Sequence, residues 1–203
     1  MSDIEFWEGF YSNHEGVNEP SNFAQYIIEK YNPVGSVLEL GCGNGRDSVF
    51  FAKNKLQVTG IDQCNSAIST LKNMQIPNAI FHVGDFTNLP LNEKYKNVYS
   101  RFTLHSVNEA DASRTMQWVY NVLENDGLFM IEVRSVNDEL YGVGESVGKD
   151  AWVTDHYRRF LRLDEITEEL KGLGFIIDLQ VEGRGYAPYQ GSDPLIIRVV
   201  CRK

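Results

Sequence analysis

A doubly wound α/β domain is what the sequence predicts, on three observations. Strand-like apolar runs alternate with helix-like segments along most of the chain. Those runs are nearly all apolar, as in strands covered on both faces. The segments between them are long enough to carry the crossover helices that parallel neighbours need.

The elements follow in order. Residues 21–32, SNFAQYIIEKYN, space their apolar side chains helically, with Ser21 as N-cap and Pro33 as the stop. The first strand is SVLELG, and a helix starts near Arg46. QVTGID and a helix from Asn65 come next, then AIFHVGD and NVYSRFTL, then a helix over 109–123 and the strand GLFMIEVRS. A long connection over 136–161 leads to a helix in LDEITEELKGLGF, introduced by Asp164. FIIDLQVEG and PLIIRVVCR, joined by a hairpin-like GRGYAPYQGSDP, bring the strands to seven, mostly parallel with the last antiparallel.

With 203 residues, 42% of them hydrophobic, the chain can bury a sizeable core and reads as one domain over 1–203. No repeat, low-complexity tract or Pro/Ser-rich linker divides it. Lys plus Arg number 19 against 28 Asp plus Glu, a net charge of −9, which argues against a nucleic-acid partner held through phosphates. No run of about 18 apolar residues occurs, so no membrane partner is expected. The first residues, MSDIEFWEGFYSNHEG, carry acids where a signal peptide carries positive charge, and a cytoplasmic location is expected. Cys42, Cys64 and Cys201 are odd in number and widely spaced, which fits reduced thiols.

The stretch VLELGCGNGRDSVFFA is the most informative. Gly41, Gly43 and Gly45 follow an apolar strand and precede a helix, where they can turn the chain tightly and let a ligand approach the backbone. In such a sheet, ligands bind beyond the C-terminal ends of the strands. The bland alternative is a tight turn with no ligand. Asp62 ends the second strand, where its carboxylate can accept hydrogen bonds from a ribose diol or simply cap a helix. Asp85 and Phe86 end the third strand and offer a carboxylate and an aromatic face to an adenine ring. The loop reads E-x-G-x-G-x-G, with Glu39 two residues before the first glycine, rather than the dinucleotide fingerprint G-x-G-x-x-G.

In ELGCGNG, the acid of GID, the GDF turn and SRFTLHSV, taken in that order and spacing, the chain resembles the class I S-adenosylmethionine-dependent methyltransferases, a Rossmann-like family. The resemblance implies S-adenosylmethionine as cofactor. It places Gly41 and Gly43 against the amino-acid part, Asp62 with its neighbour Gln63 at the ribose, and Asp85 with Phe86 at the adenine. Glu39 would orient the loop or the methionine amine. Arg46 and Asp47 in NGRDS resemble residues of small-molecule branches, among them thiopurine- and tellurite-type enzymes.

The fourth strand should carry residues near the reactive methyl. The D/N-P-P-Y/F signature of base N-methyltransferases is absent from YSRFTLHSVNE, which weighs against a nucleic-acid base as acceptor. Arg101 and Phe102 are expected on the cofactor side. His105 is the candidate catalytic residue: a histidine titrating near neutrality can take a hydroxyl proton, or it can only shape the loop by hydrogen bonding.

The 136–161 connection is expected to cover the substrate. Its WVTDHYRRF segment concentrates His156, Tyr157, Arg158 and Arg159, and Arg134 ends the fifth strand nearby. An arginine pair can hold a carboxylate or phosphate bidentately; the alternative is a solvated charged turn. Residues 1–32 are expected to form a lid and a helix, with Trp7 and Tyr11 closing over the cofactor or merely packing on the helix. Tyr186, in the last connection, is a further substrate candidate. No metal site is expected, since His14, His82, His105 and His156 are not ligand-spaced and no CxxC occurs. No G-x-S-x-G elbow points to a nucleophile. The expected activity is methyl transfer from S-adenosylmethionine to a small anionic, hydroxyl-bearing acceptor, by a monomer or homodimer. A nucleotide-dependent oxidoreductase or a non-catalytic binding module are the alternatives.

Overall fold

A computed structural model describes residues 3–13, 19–90, 92–189 and 191–203. The central sheet is built from β1 (Ser36–Leu40), β2 (Gln57–Asp62), β3 (Ala79–Val83), β4 (Tyr95–Arg101), β5 (Leu123–Arg134), β9 (Ile176–Gly183) and β10 (Ile196–Arg202). Its order is β3-β2-β1-β4-β5-β10-β9. The first five strands pair in parallel, and β10 runs antiparallel to both β5 and β9. The strand order reverses beside β1, which opens a crevice at the C-terminal ends of β1 and β4.

Two-sided burial explains the apolar runs. In β5, Phe129, Ile131 and Val133 face one core with Met116, Val119 and Leu170, while Leu128 and Met130 face the other with Phe23, Ile27 and Phe51. The period of two thus sends alternate side chains to helices α5 (Glu109–Val122) and α6 (Leu163–Gly172) on one face, and to α2 (Asn22–Tyr31) and α3 (Arg46–Lys53) on the other. Burying one Leu or Ile in this way contributes about 1.5–3 kcal/mol. The Ser21 hydroxyl caps α2 by accepting the Ala24 N–H at 3.0 Å.

Three boundaries differ from the sequence expectation. The 136–161 connection is structured: β6 (Glu145–Gly148), β7 (Ala151–Val153) and β8 (Tyr157–Arg159) form a small antiparallel sheet, pinned by the rings of Tyr141, Trp152 and Phe160. α6 has Arg162 at its N-cap, and Asp164 sits inside its first turn, accepting the Glu165 N–H. The N-terminal aromatic segment is a helix, α1 (Asp3–Asn13), packed on α4 (Asn65–Asn73). His14 lies outside the described residues.

Candidate active site

A cavity of about 700 Å³ lies at the strand ends, a volume in the range of small-ligand sites. β1 leads into the glycine loop, where Gly41 and Gly43 take φ of 65° and 52°, conformations that favour glycine. A Cβ at Gly41 would collide with the Thr103 side chain, and one at Gly43 with the Tyr11 hydroxyl. The loop is bare because protein, from β4's end and from α1, already presses on it.

Asp62 organises this loop. Its Oδ2 accepts the Gly43 N–H at 2.8 Å and its Oδ1 accepts the Cys64 N–H at 2.8 Å. Burial raises its carboxyl from the usual range despite those bonds. Each oxygen keeps a further lone pair for a ligand hydroxyl. Glu39 is buried at the end of β1 and accepts the Ser48 hydroxyl at 2.5 Å; burial, then the neighbouring Asp47, push its carboxyl well up. Asp47 accepts the Ser21 N–H and hydroxyl, both at 2.7 Å, and the Tyr99 hydroxyl at 2.9 Å. Asp85 engages only Oδ1, with the Thr87 N–H and hydroxyl, while Phe86 beside it is buried against the cavity.

Arg46 supplies the test of fit for a cofactor with a carboxylate. Its Nε is buried with no hydrogen-bond partner, the nearest anion being Asp47 Oδ1 at 3.9 Å, and its side chain lines the cavity. An orphaned guanidinium donor over a bare loop, with Asp62 and Asp85 on successive strand ends, fits the amino-acid, ribose and adenine parts of S-adenosylmethionine.

Arg101 and Arg134 also lie against one ring of the wall: their Cζ atoms are 4.5 and 5.8 Å from the Phe102 centroid. Phe102 sits at φ 58°, costly for a bulky residue and held there by its N–H bond to the Glu132 carbonyl. Arg101 Nε donates to Glu132 Oε1 at 2.9 Å, and Arg198 Nε donates to Glu132 Oε2 at 2.7 Å, so a buried Arg–Glu–Arg row crosses β4, β5 and β10. Arg134 pairs with Asp138 at 2.9 Å.

Of the residues singled out in sequence, Trp7, Tyr11, Glu39, Gly41, Arg46, Asp62, Gln63, Asp85, Phe86, Arg101, Arg134 and Tyr157 line the cavity. His105 does not: it is buried behind the wall, its Nδ1 accepts the Arg134 N–H at 3.1 Å, and its carbonyl accepts the Arg159 N–H at 2.8 Å. Burial, then Arg134 and Arg158, push its imidazole well below its ordinary value of 6.5. Those bonds belong to a loop-shaping residue rather than a base. The arginine pair is corrected in the same way. Arg158 pairs with Asp155 at 3.0 Å, and Arg159 donates to the Val107 and Leu104 carbonyls. His156 packs against the rings of Phe6 and Trp7 of α1, and the Arg198 guanidinium lies over the Tyr186 ring; Tyr189 lines the cavity in its place. Among residues the sequence left unassigned, Thr103 and Asp111 also line it. Among the described residues, no group of three His, Cys, Asp or Glu is placed to hold a metal ion.

Residues 37–127 match the family model described as "Methyltransferase domain". The match covers somewhat less than half of the chain. A curated relative from Synechocystis, called an uncharacterized methyltransferase, is 29% identical over 57% of this chain and 55% of its own length. The chain thus spans about half of that relative. An S-adenosylmethionine-dependent methyltransferase from Clostridium acetobutylicum matches with a TM-score of 0.69 at 18% identity, over 89% of this chain and 90% of that one. The [4+2]-cyclase SpnF matches at 0.70 and 16%, over 89% and 79%. These last two likenesses establish the fold, and the cyclase shows that the fold by itself does not fix the reaction. Beyond the matched segment lie α1, α2, Arg134, the β6–β8 sheet and the β9–β10 loop.

Proposed function

We propose that the protein is an S-adenosylmethionine-dependent methyltransferase acting on a small, anionic, hydroxyl-bearing acceptor. The observation that carries the proposal is one cavity lined by two kinds of group. The first is the glycine loop with Asp62, Asp85 and the orphaned Arg46 Nε; the second is the ring of Phe102 beside two guanidinium groups.

When bound, S-adenosylmethionine supplies an electrophilic methyl group on a sulfonium centre. Arg46 would pair with its carboxylate, Asp62 with its ribose hydroxyls, and Asp85 with Phe86 would hold the adenine. Trp7 and Tyr11 cover this part of the cavity and exclude water. Arg101 and Arg134 hold the acceptor's anionic group and favour ionisation of its hydroxyl, as nearby positive charge does. No histidine lines the cavity among the described residues, so a hydroxyl that ionises readily suits the site, and positioning supplies most of the acceleration. A cytoplasmic enzyme, monomeric or homodimeric, is part of this reading, consistent with three buried free thiols.

Titration calorimetry with S-adenosylmethionine, S-adenosylhomocysteine and NAD tests the cofactor. Binding of the sulfur nucleosides in the micromolar range is expected; binding of NAD alone would sink the proposal. Mass spectrometry after incubation with a panel of small hydroxy acids and phenolates is expected to detect a methyl adduct on at least one. Neutral analogues are expected to react poorly.

A further inference from the structure

α4 begins without a cap of its own. Cys64 occupies its N-cap position and makes no side-chain bond to the helix, so the first N–H groups of α4 need an acceptor from elsewhere. Glu8 of α1 supplies it from far away in the chain. Its Oε1 accepts the Asn65 N–H at 2.6 Å, and its Oε2 accepts the Ser66 N–H at 3.3 Å and the Ser66 hydroxyl at 2.5 Å. A carboxylate at a helix N-terminus also meets the positive end of the helix dipole.

α1 also turns Ile4, Trp7 and Tyr11, spaced by three and four residues, to the cavity beside Glu8. The Tyr11 hydroxyl rests where a Cβ on Gly43 would be. The Phe6 and Trp7 rings also lie 4.4 and 4.9 Å from His156. α1 therefore bridges the part of the cavity proposed for the cofactor, fastened to α4 and to the β7–β8 turn.

We infer that Glu8 is a positioning residue: by capping α4 from outside it fastens α1 as the roof of the cavity and sets how long a molecule stays bound beneath it. The fastening follows from the contacts alone, and only the residence time rests on the cofactor proposed above. Glu8 itself does not line the cavity. Its carboxylate is held below the usual range chiefly by the Ser66 hydroxyl, so the cap is intact at neutral pH.

The test compares the wild type with Glu8→Ala and Glu8→Gln. In protein without cofactor, hydrogen exchange is expected to speed up at Asn65 and Ser66 and along α1 in Glu8→Ala, with Glu8→Gln intermediate. Stopped-flow fluorescence of S-adenosylhomocysteine release is expected to give an off-rate about tenfold faster in Glu8→Ala, the scale of one lost cap. Faster exchange confined to α4, with α1 protection and the off-rate unchanged, would overturn the inference and leave Glu8 a plain cap. Wild-type exchange in both helices would overturn it as well. If S-adenosylhomocysteine does not bind the wild type, the cofactor proposal fails, while the exchange measurement still decides whether Glu8 fastens α1.

Discussion

Two parts of the cavity wall are built in opposite ways. The part proposed for the cofactor is made of strand termini: Gly41 after β1, Asp62 after β2, and Asp85 and Phe86 after β3, each placed by the register of a buried parallel sheet. The part proposed for the acceptor depends on arginines whose aim is set by ion-pair partners. Arg101 is held by Glu132, Arg134 by Asp138, and Phe102 by a strained backbone between them. The first kind of site is fixed once the sheet forms. The second is fixed by individual ion pairs, and single substitutions can retune it without disturbing the first.

That contrast can be broken experimentally. The largest effect is expected from Glu132→Ala, which leaves Arg101 and Arg198 without their shared carboxylate: a stability loss of about 3–5 kcal/mol in chemical denaturation, the cost of orphaning buried charge. Arg134→Ala is expected to lower kcat/KM for the acceptor by about a hundredfold while S-adenosylhomocysteine affinity stays near wild type. A matching loss of cofactor affinity would erase the distinction between the two parts. Asp62→Ala is expected to do the reverse, weakening cofactor binding by about 1–3 kcal/mol in calorimetry. Unchanged affinity would remove Asp62 from the ribose position.

Smaller effects sharpen the comparison. His105 is neutral in the fold because its proton affinity is pushed down by burial and nearby arginines. Its folded value lies below its unfolded one, so its contribution to stability is present above pH 6.5 and is lost as acidification proceeds below that. His105→Gln is expected to flatten thermal stability against pH in this acidic window, and to lower activity by a modest factor that does not depend on pH. Arg158→Ala, whose charge is already paired with Asp155, is expected to change the acceptor KM by no more than about threefold.

The sheet and the strand-end lining of the cavity were legible because they rest on local signals. Apolar runs, three glycines after the first strand and acids at the ends of the second and third are cues that a parallel sheet places by itself. Arg158 and Arg159 were misread because a guanidinium in sequence does not name its partner. The spacing of Asp155 to Arg158 was a hint for one; the carbonyls of Leu104 and Val107, which hold the other, leave no mark in sequence. α1 was expected as a lid rather than a helix, although Ile4, Trp7 and Tyr11 keep helical spacing. Phe102 at positive φ could not have been read at all, since tertiary bonds impose it.

The carboxylate of Asp47 has one further consequence. It stands inside the segment 37–127 that matches the family, yet two of its three hydrogen bonds come from Ser21, which also starts α2. One flank of the matched strands is closed by Phe23, Ala24 and Ile27, and β5 is completed by β10. The unit of recognition and the unit of folding therefore do not coincide here. A fragment cut to residues 37–127 would expose an apolar sheet face and strand a buried anion. It would aggregate rather than bind, whereas a boundary drawn before Ser21 and after Arg202 keeps that anion and both covered faces intact.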